Sequence, residues 1–197
     1  MAAFNVDMDK VLTFADSDAF HDWLSQNHAS ETEVWIKLHK KASGLPSITA
    51  KEAIDVALCW GWIDAIRKGL DQTSFLQRYT RRGAKSVWSQ INIENIGRLI
   101  AEGRMTEHGL RQVDAAKADG RWDRAYRASK AEVPADLLAA IETTPAARAT
   151  FAGLSAQNRF ALIFRVNNLK TEAGRRKRIA AFVEMLERGE TIHPQKK

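Results

Sequence analysis

The chain has 197 residues, 45% hydrophobic and 27% charged, with a net charge of +6 and one cysteine. That length holds one large domain or two small ones around a sizeable core. No run of about 18 apolar residues exists, so no membrane span is expected, and one cysteine excludes an internal disulfide and fits a reducing compartment.

The opening residues carry no basic-then-apolar signal, so a cytoplasmic protein is expected. The first dozen residues read as an extended lead-in. Ser17 reads as a cap for a helix bearing Phe20, Trp23 and Leu24 on one face. Residues 34–40 alternate with period two: Val34, Ile36 and Leu38 face one way, Trp35, Lys37 and His39 the other, as in a strand with one buried face. A turn-rich loop follows through Gly44 and Pro46. Thr49 with Glu52 three residues on spells a capping box for a helix through Ile54, Ala57 and Leu58. Residues 57–64 hold Cys59, Trp60, Gly61, Trp62 and Asp64, with Gly61 as the hinge between that helix and a strand.

Residues 63–68 and 74–82 predict two strands joined as a hairpin around Gly69–Thr73. The second mixes polar and apolar residues on both faces, which places it at an edge or against a site. A three-stranded antiparallel-type sheet with packed helices is therefore expected in residues 1–127. Ser86 reads as the cap of a helix ending at Gly103, and Thr106 as the cap of another closed by Gly120. Residues 127–133 are polar and read as a linker. Pro134, Thr144-Pro145, Ser155 and Thr171 then punctuate an all-helical module over 134–190, with 191–197 as a disordered basic tail. The fold class is α+β in front and all-α behind. The last quarter carries the charge: residues 145–197 hold 11 Lys/Arg against 4 Asp/Glu.

Several stretches together resemble the YdeI/OmpD-associated family, also labelled bacteriocin-protection proteins. They are Val34-Trp35-Ile36-Lys37-Leu38, Leu58-Cys59-Trp60-Gly61-Trp62-Ile63-Asp64, Gln77-Arg78-Tyr79-Thr80, Trp88-Ser89, Asp119-Gly120-Arg121-Trp122 and the Arg175–Ile179 run. The resemblance implies a bacterial protein tied to envelope stress or outer-membrane proteins, and it carries no reaction. Where that family tends to read Thr-Pro-Arg-Arg, this chain reads Thr80-Arg81-Arg82-Gly83. The missing proline loosens the strand exit and the glycine removes a charge, which argues against a fixed anion clamp there.

For chemistry, Trp35, Lys37, Trp62, Asp64, Arg78, Ser86 and Asn92 are the candidate ligand-binding residues, with Lys40, Arg67 and Arg82 around them. Arginine beside aromatic rings suits a phosphate or carboxylate ligand, and the hairpin is expected to set Arg78 near Asp64. The bland alternative makes Arg78 and Asp64 a structural ion pair. Cys59 reads as a buried apolar residue rather than a reactive thiol. The five histidines lack metal-site spacing, and no nucleophile elbow or phosphate loop is present, so no metal, cofactor or catalytic residue is assigned. The expected role is a binding or stress-protection module for a small anion or a protein partner. The alternatives are an enzyme acting on a small anionic substrate and a nucleic-acid binder using the basic Arg175–Arg178 run, the latter disfavoured because those four residues splay about 100° apart on a helix.

Overall fold

The computed structural model describes residues 6–127 and 132–195, and the chain divides into two units, Met1–Tyr126 and Arg127–Lys197. Of the predicted linker, residues 128–131 lie outside the described residues, as do residues 1–5 of the lead-in and residues 196–197 of the tail.

In the front unit the sheet has four strands, not three, in the order β1-β2-β4-β3. These are β1 (Val11–Leu12), β2 (Glu33–His39), β3 (Trp62–Gly69) and β4 (Ser74–Arg81). The strand that sequence periodicity does not reveal is β1: two residues are too short to show alternation, yet they pair parallel to β2, which makes the sheet mixed. β2 and β3 both run antiparallel to β4. β4 is therefore interior rather than an edge. Its polar residues are accommodated by its neighbours: Gln77 is buried, takes a hydrogen bond from Arg67 Nε at 2.9 Å, and donates to the Ile66 carbonyl. A bulge between Asp64 and Arg67 gives β3 one extra residue there. The β3–β4 turn is built by Asp71, whose carboxylate accepts from the backbone and hydroxyls of Thr73 and Ser74 at 2.7–2.9 Å. Those donors, Ser74 first, hold Asp71 well below the usual carboxylate range.

Helices α1 (Ser17–Asn27) and α2 (Ala50–Cys59) cover one face of this sheet. The cap of α1 is Asp16, one residue before the predicted Ser17, and its carboxylate accepts from Ala19 N–H. α2 starts with the full capping box: Thr49 Oγ1 accepts from Glu52 N–H, and Glu52 returns a carboxylate to Thr49 N–H at 2.9 Å. Ala53, Val56 and Ala57 of α2 join Val34, Ile36, Leu38 and Tyr79 in the first core. Leu58 and Cys59 turn the other way, into a second core with Trp88, Ile96, Leu99 and Val113. Those residues flank or belong to α3 (Gln90–Ala101) and α4 (Glu107–Ala118). α3 is capped by Ser89 rather than Ser86, so Trp88 precedes the helix instead of riding on it. Asp55, buried on α2, receives both hydrogens of Arg98 Nη2 at 2.7 Å and ties α3 to α2.

The rear unit is helical: α5 (Ala135–Glu142), α6 (Pro145–Ala152), α7 (Ala156–Asn167) and α8 (Glu172–Glu187). Pro134 is the residue before α5, while Pro145 takes the first helical position of α6. Ser155 and Thr171 cap α7 and α8 through their hydroxyls. Leu137, Ile141, Phe151, Leu162, Val166 and Phe182 form its core. The basic run is partly spent on structure, since Arg175 grips Asp136 through two hydrogen bonds of 2.6 and 2.8 Å and reaches the Val166 carbonyl. Residues 191–195, expected to be part of a free tail, return along α7. Buried Asn158 bonds His193 and Gln195, which satisfies a polar side chain that could not be left unpaired.

Candidate functional site

The predicted site residues fall into separate places. Register puts Trp35 opposite Arg78 and Lys37 opposite Leu76, so Trp35, Lys37 and Arg78 share one face of the sheet. Asp64 stands opposite Tyr79, on the helix-covered face, with Trp62 buried beside it in the core. Arg78 and Asp64 thus point to opposite sides and do not pair. Arg78 instead holds Glu33, its diagonal neighbour on β2, through Nε at 2.9 Å and through Nη2. Ser86 sits in the loop before α3, where its Oγ accepts from Gly83 N–H. Asn92 lies in the first turn of α3, its N–H given to the Ser89 cap. Lys40 binds the carbonyls of Asp71 and Gln72 at the hairpin.

What the fold does assemble is a pocket around the end of α2. Gly61 turns the chain with φ +73°, a conformation that side chains other than glycine rarely adopt. The first turn of α4 docks here, because Thr106 gives both its N–H (3.2 Å) and its hydroxyl (2.6 Å) to the Cys59 carbonyl. Gly109 lies so close that a Cβ would come within 2.3 Å of that same oxygen. This approach brings His108 and Arg111 of α4 beside Trp60. From the opposite side, His28 caps the end of α1, and β4 ends at Arg81 with Arg82 next in the chain. The Arg82 N–H binds the Gly61 carbonyl at 3.0 Å, and Arg81 Nη1 binds the Ala29 carbonyl at 3.2 Å.

The result is a cavity of about 700 Å³ with Arg81, Arg82, Arg111, His28 and His108 in its wall, no carboxylate among its lining residues, and Trp60 and Trp62 as apolar surface. Trp60 lies parallel to His108 at 5.5 Å and tilted against His28 at 4.8 Å. The two imidazoles are 3.9 Å apart. Burial, then His28 and Arg111, hold His108 below the ordinary histidine value. Arg82 runs inward from the rim. It is 6% exposed, lies 3.6 Å over the Trp88 ring and donates to the Val87 carbonyl, while its buried Nε and Nη2 find no acceptor among the described residues. Burial, with Arg121 nearby, brings Arg82 down to about 10. Asp64 supplies opposing charge from behind, and burial raises its own value.

Sequence reasoning named Arg82 and Trp62 but missed His28, His108 and Arg111. Helical spacing cannot reveal these two histidines, which come from the end of α1 and from α4, eighty residues apart in the chain. Sequence reasoning also discounted the Arg81-Arg82-Gly83 stretch, which forms one wall. The available signal was the pairing of adjacent arginines with the Trp60-Gly61-Trp62 turn. Cys59 is buried, and that burial pushes its thiol up to about 11. Among the described residues, no group of three or more His, Cys, Asp or Glu is arranged to hold a metal ion, and no helix is long and apolar enough to cross a membrane.

Residues 12–112, which include the whole pocket lining, match the family described as Domain of unknown function (DUF8412). Residues 130–189 match the family described as Bacteriocin-protection, YdeI or OmpD-Associated. The family resemblance read from the sequence is thus found in the rear segment, while the Leu-Cys-Trp-Gly-Trp-Ile-Asp string lies in the front match. Neither a curated protein nor a solved structure matches the chain.

Proposed function

We propose a role from the premise that the chain belongs to the family described as Domain of unknown function (DUF8412): its front unit is a binding module for a small anionic ligand. The observation that carries this is the pocket wall, where three arginines and two histidines meet without a lining carboxylate. Guanidinium groups gathered in one cleft attract phosphate or carboxylate more strongly than scattered surface lysines do. The two tryptophans offer a face for an apolar or planar portion of the same ligand. This reading retains the polar Arg/Trp-lined surface expected from the sequence and proposes Arg81, Arg82 and Arg111 in place of Arg78. A nucleic-acid role has less to support it, because Arg175 and Arg176 of the basic run face Asp136 and Glu172. A stress-protection role has only the printed description of the rear match behind it.

Calorimetric titration with inorganic phosphate, sulfate and acetate tests the module. Wild type should bind at least one of them. Arg111→Ala should lose about tenfold or more in affinity, the cost of one charge-assisted hydrogen bond, while its stability changes by less than about 0.5 kcal/mol, as for an exposed side chain. Equal binding by wild type and Arg111→Ala would remove the pocket from consideration.

A further inference from the structure

We propose that the ligand is a doubly charged tetrahedral anion, of the phosphate-monoester or sulfate type, and that it enters with one proton, taken up by His108. This rests on the anion-pocket reading and adds its charge, shape and pH dependence.

The contact between Arg111 Nη2 and His108 Nδ1 sets the chemistry. A guanidinium has only hydrogens to offer, so the imidazole nitrogen facing it must be the one with the lone pair. Neutral His108 therefore carries its hydrogen on Nε2. His28 is fixed in the opposite sense: its Nδ1 lies 3.0 Å from the Leu24 carbonyl, which can only accept, so the hydrogen is on Nδ1. Putting a proton on His108 Nδ1 makes it a donor directly opposite another donor. Two N–H groups then face each other with no acceptor between them. An anion accepting from both restores the pairing, and the added proton only forms the Nδ1–H bond.

The charge count selects a dianion. Arg111 and protonated His108 are joined at the pocket by Arg81 and Arg82. The carboxylates around this group are few. Glu107 approaches Arg111 at 3.7 Å on the same helix, and Asp64 acts on Arg82 from behind. On α1, His21 meets the edge of Trp60 and has Asp22 at 3.9 Å. Arg81, Arg82, Arg111 and protonated His108 set against Glu107 and Asp64 leave two positive charges; a single carboxylate ligand answers one of them, whereas a phosphate monoester brings nearly two charges and several acceptor oxygens. In the free protein burial, then His28 and Arg111, lower the proton affinity of His108, and an anion bound beside Nδ1 opposes that shift.

Sulfate is the decisive probe, because its charge stays fixed across the range in which histidine titrates. Wild type should bind sulfate about tenfold more tightly near pH 5.5 than near pH 8, with a binding heat that changes with the buffer's ionisation enthalpy. Acetate should bind at least about tenfold more weakly than sulfate at the lower pH. His108→Asn keeps an oxygen opposite Arg111 but cannot take the proton, so its sulfate affinity should be the same at both pH values. The buffer-dependent heat of wild type tests the proton uptake without any variant. Sulfate bound equally at both pH values, acetate bound as tightly as sulfate, or an undiminished pH dependence in His108→Asn would each overturn this proposal and leave the pocket reading standing. No binding of sulfate, phosphate or acetate at either pH would overturn both.

Discussion

In the rear unit, which holds 13 Lys/Arg against 7 Asp/Glu, arginines are met by carboxylates: Arg175 by Asp136, Arg176 by Glu172, Arg148 by Glu142 and Arg188 by Glu190. The front unit is neutral by count, with 17 of each sign, and its pocket arginines lean mainly on neutral partners: Arg81 on the Ala29 carbonyl, Arg82 on the Val87 carbonyl and Arg111 on His108, with Glu107 at 3.7 Å from Arg111. Net charge therefore points to the rear unit, away from the pocket proposed above as the anion site. What marks an anion site is not the number of guanidinium groups but what already occupies them. An arginine held by a carboxylate is a structural tie; one held by a neutral oxygen or an imidazole can still accept an anion.

On that contrast, arginines separate into those whose loss costs stability and those whose loss costs binding. The largest stability effect is expected at Arg98, a front-unit arginine held by the buried carboxylate of Asp55. Arg98→Ala strands the Asp55 carboxylate, whose side chain is 7% exposed, and should destabilise the front unit by about 3 kcal/mol. Urea denaturation checks this; a loss under about 1 kcal/mol would mean water reaches Asp55. Arg175→Ala in the rear unit breaks a bidentate pair whose side chains are 25% and 47% exposed, so about 1 kcal/mol is expected. It should leave sulfate and phosphate binding unchanged; a loss of binding would undo the contrast between the units.

The smallest expected effect follows from His108. Its folded value is depressed below the ordinary one, so the unfolded chain binds more protons there. That contribution to stability is present above about pH 6.5 and declines as pH falls through the window down to the folded value. Without anion, thermal stability should therefore drop modestly from about pH 7.5 to 5.5, and His108→Asn should flatten that part of the profile. Saturating sulfate should lift the wild-type stability most at the acidic end. A wild-type profile unaffected by His108→Asn would place the titration elsewhere.

Much of the fold was legible because it is written locally. The Thr49–Glu52 box, the alternation of residues 34–38, the hairpin and the glycines Gly103, Gly120 and Gly189 each act within a few residues. The sequence failed where pairing decides. Two residues of β1 carry no period. The choice of Glu33 over Asp64 as partner for Arg78 depends on β4 lying between β2 and β3, since adjacent positions on one strand face opposite sides. The pocket is less legible still: its parts come from the ends of α1, α2 and β4 and the start of α4, and they converge only because Thr106 docks on Cys59. Reading the histidines for helical spacing tested one geometry and overlooked contacts between elements.

The close approach of α4 to the end of α2 has a consequence for how this chain can vary. A methyl group on Gly109 would collide with backbone at 2.3 Å, and one on Gly61 would meet Gln112 at 2.7 Å while forcing a strained φ. In a saturation library sorted first for folded protein and then for anion capture, these two glycines should be fixed by the first sort. Arg81, His108 and Arg111 should pass it freely and be fixed only by the second. Positions that build the seam and positions that use it would then be told apart by selection alone, so the front unit could change its ligand without renegotiating its fold.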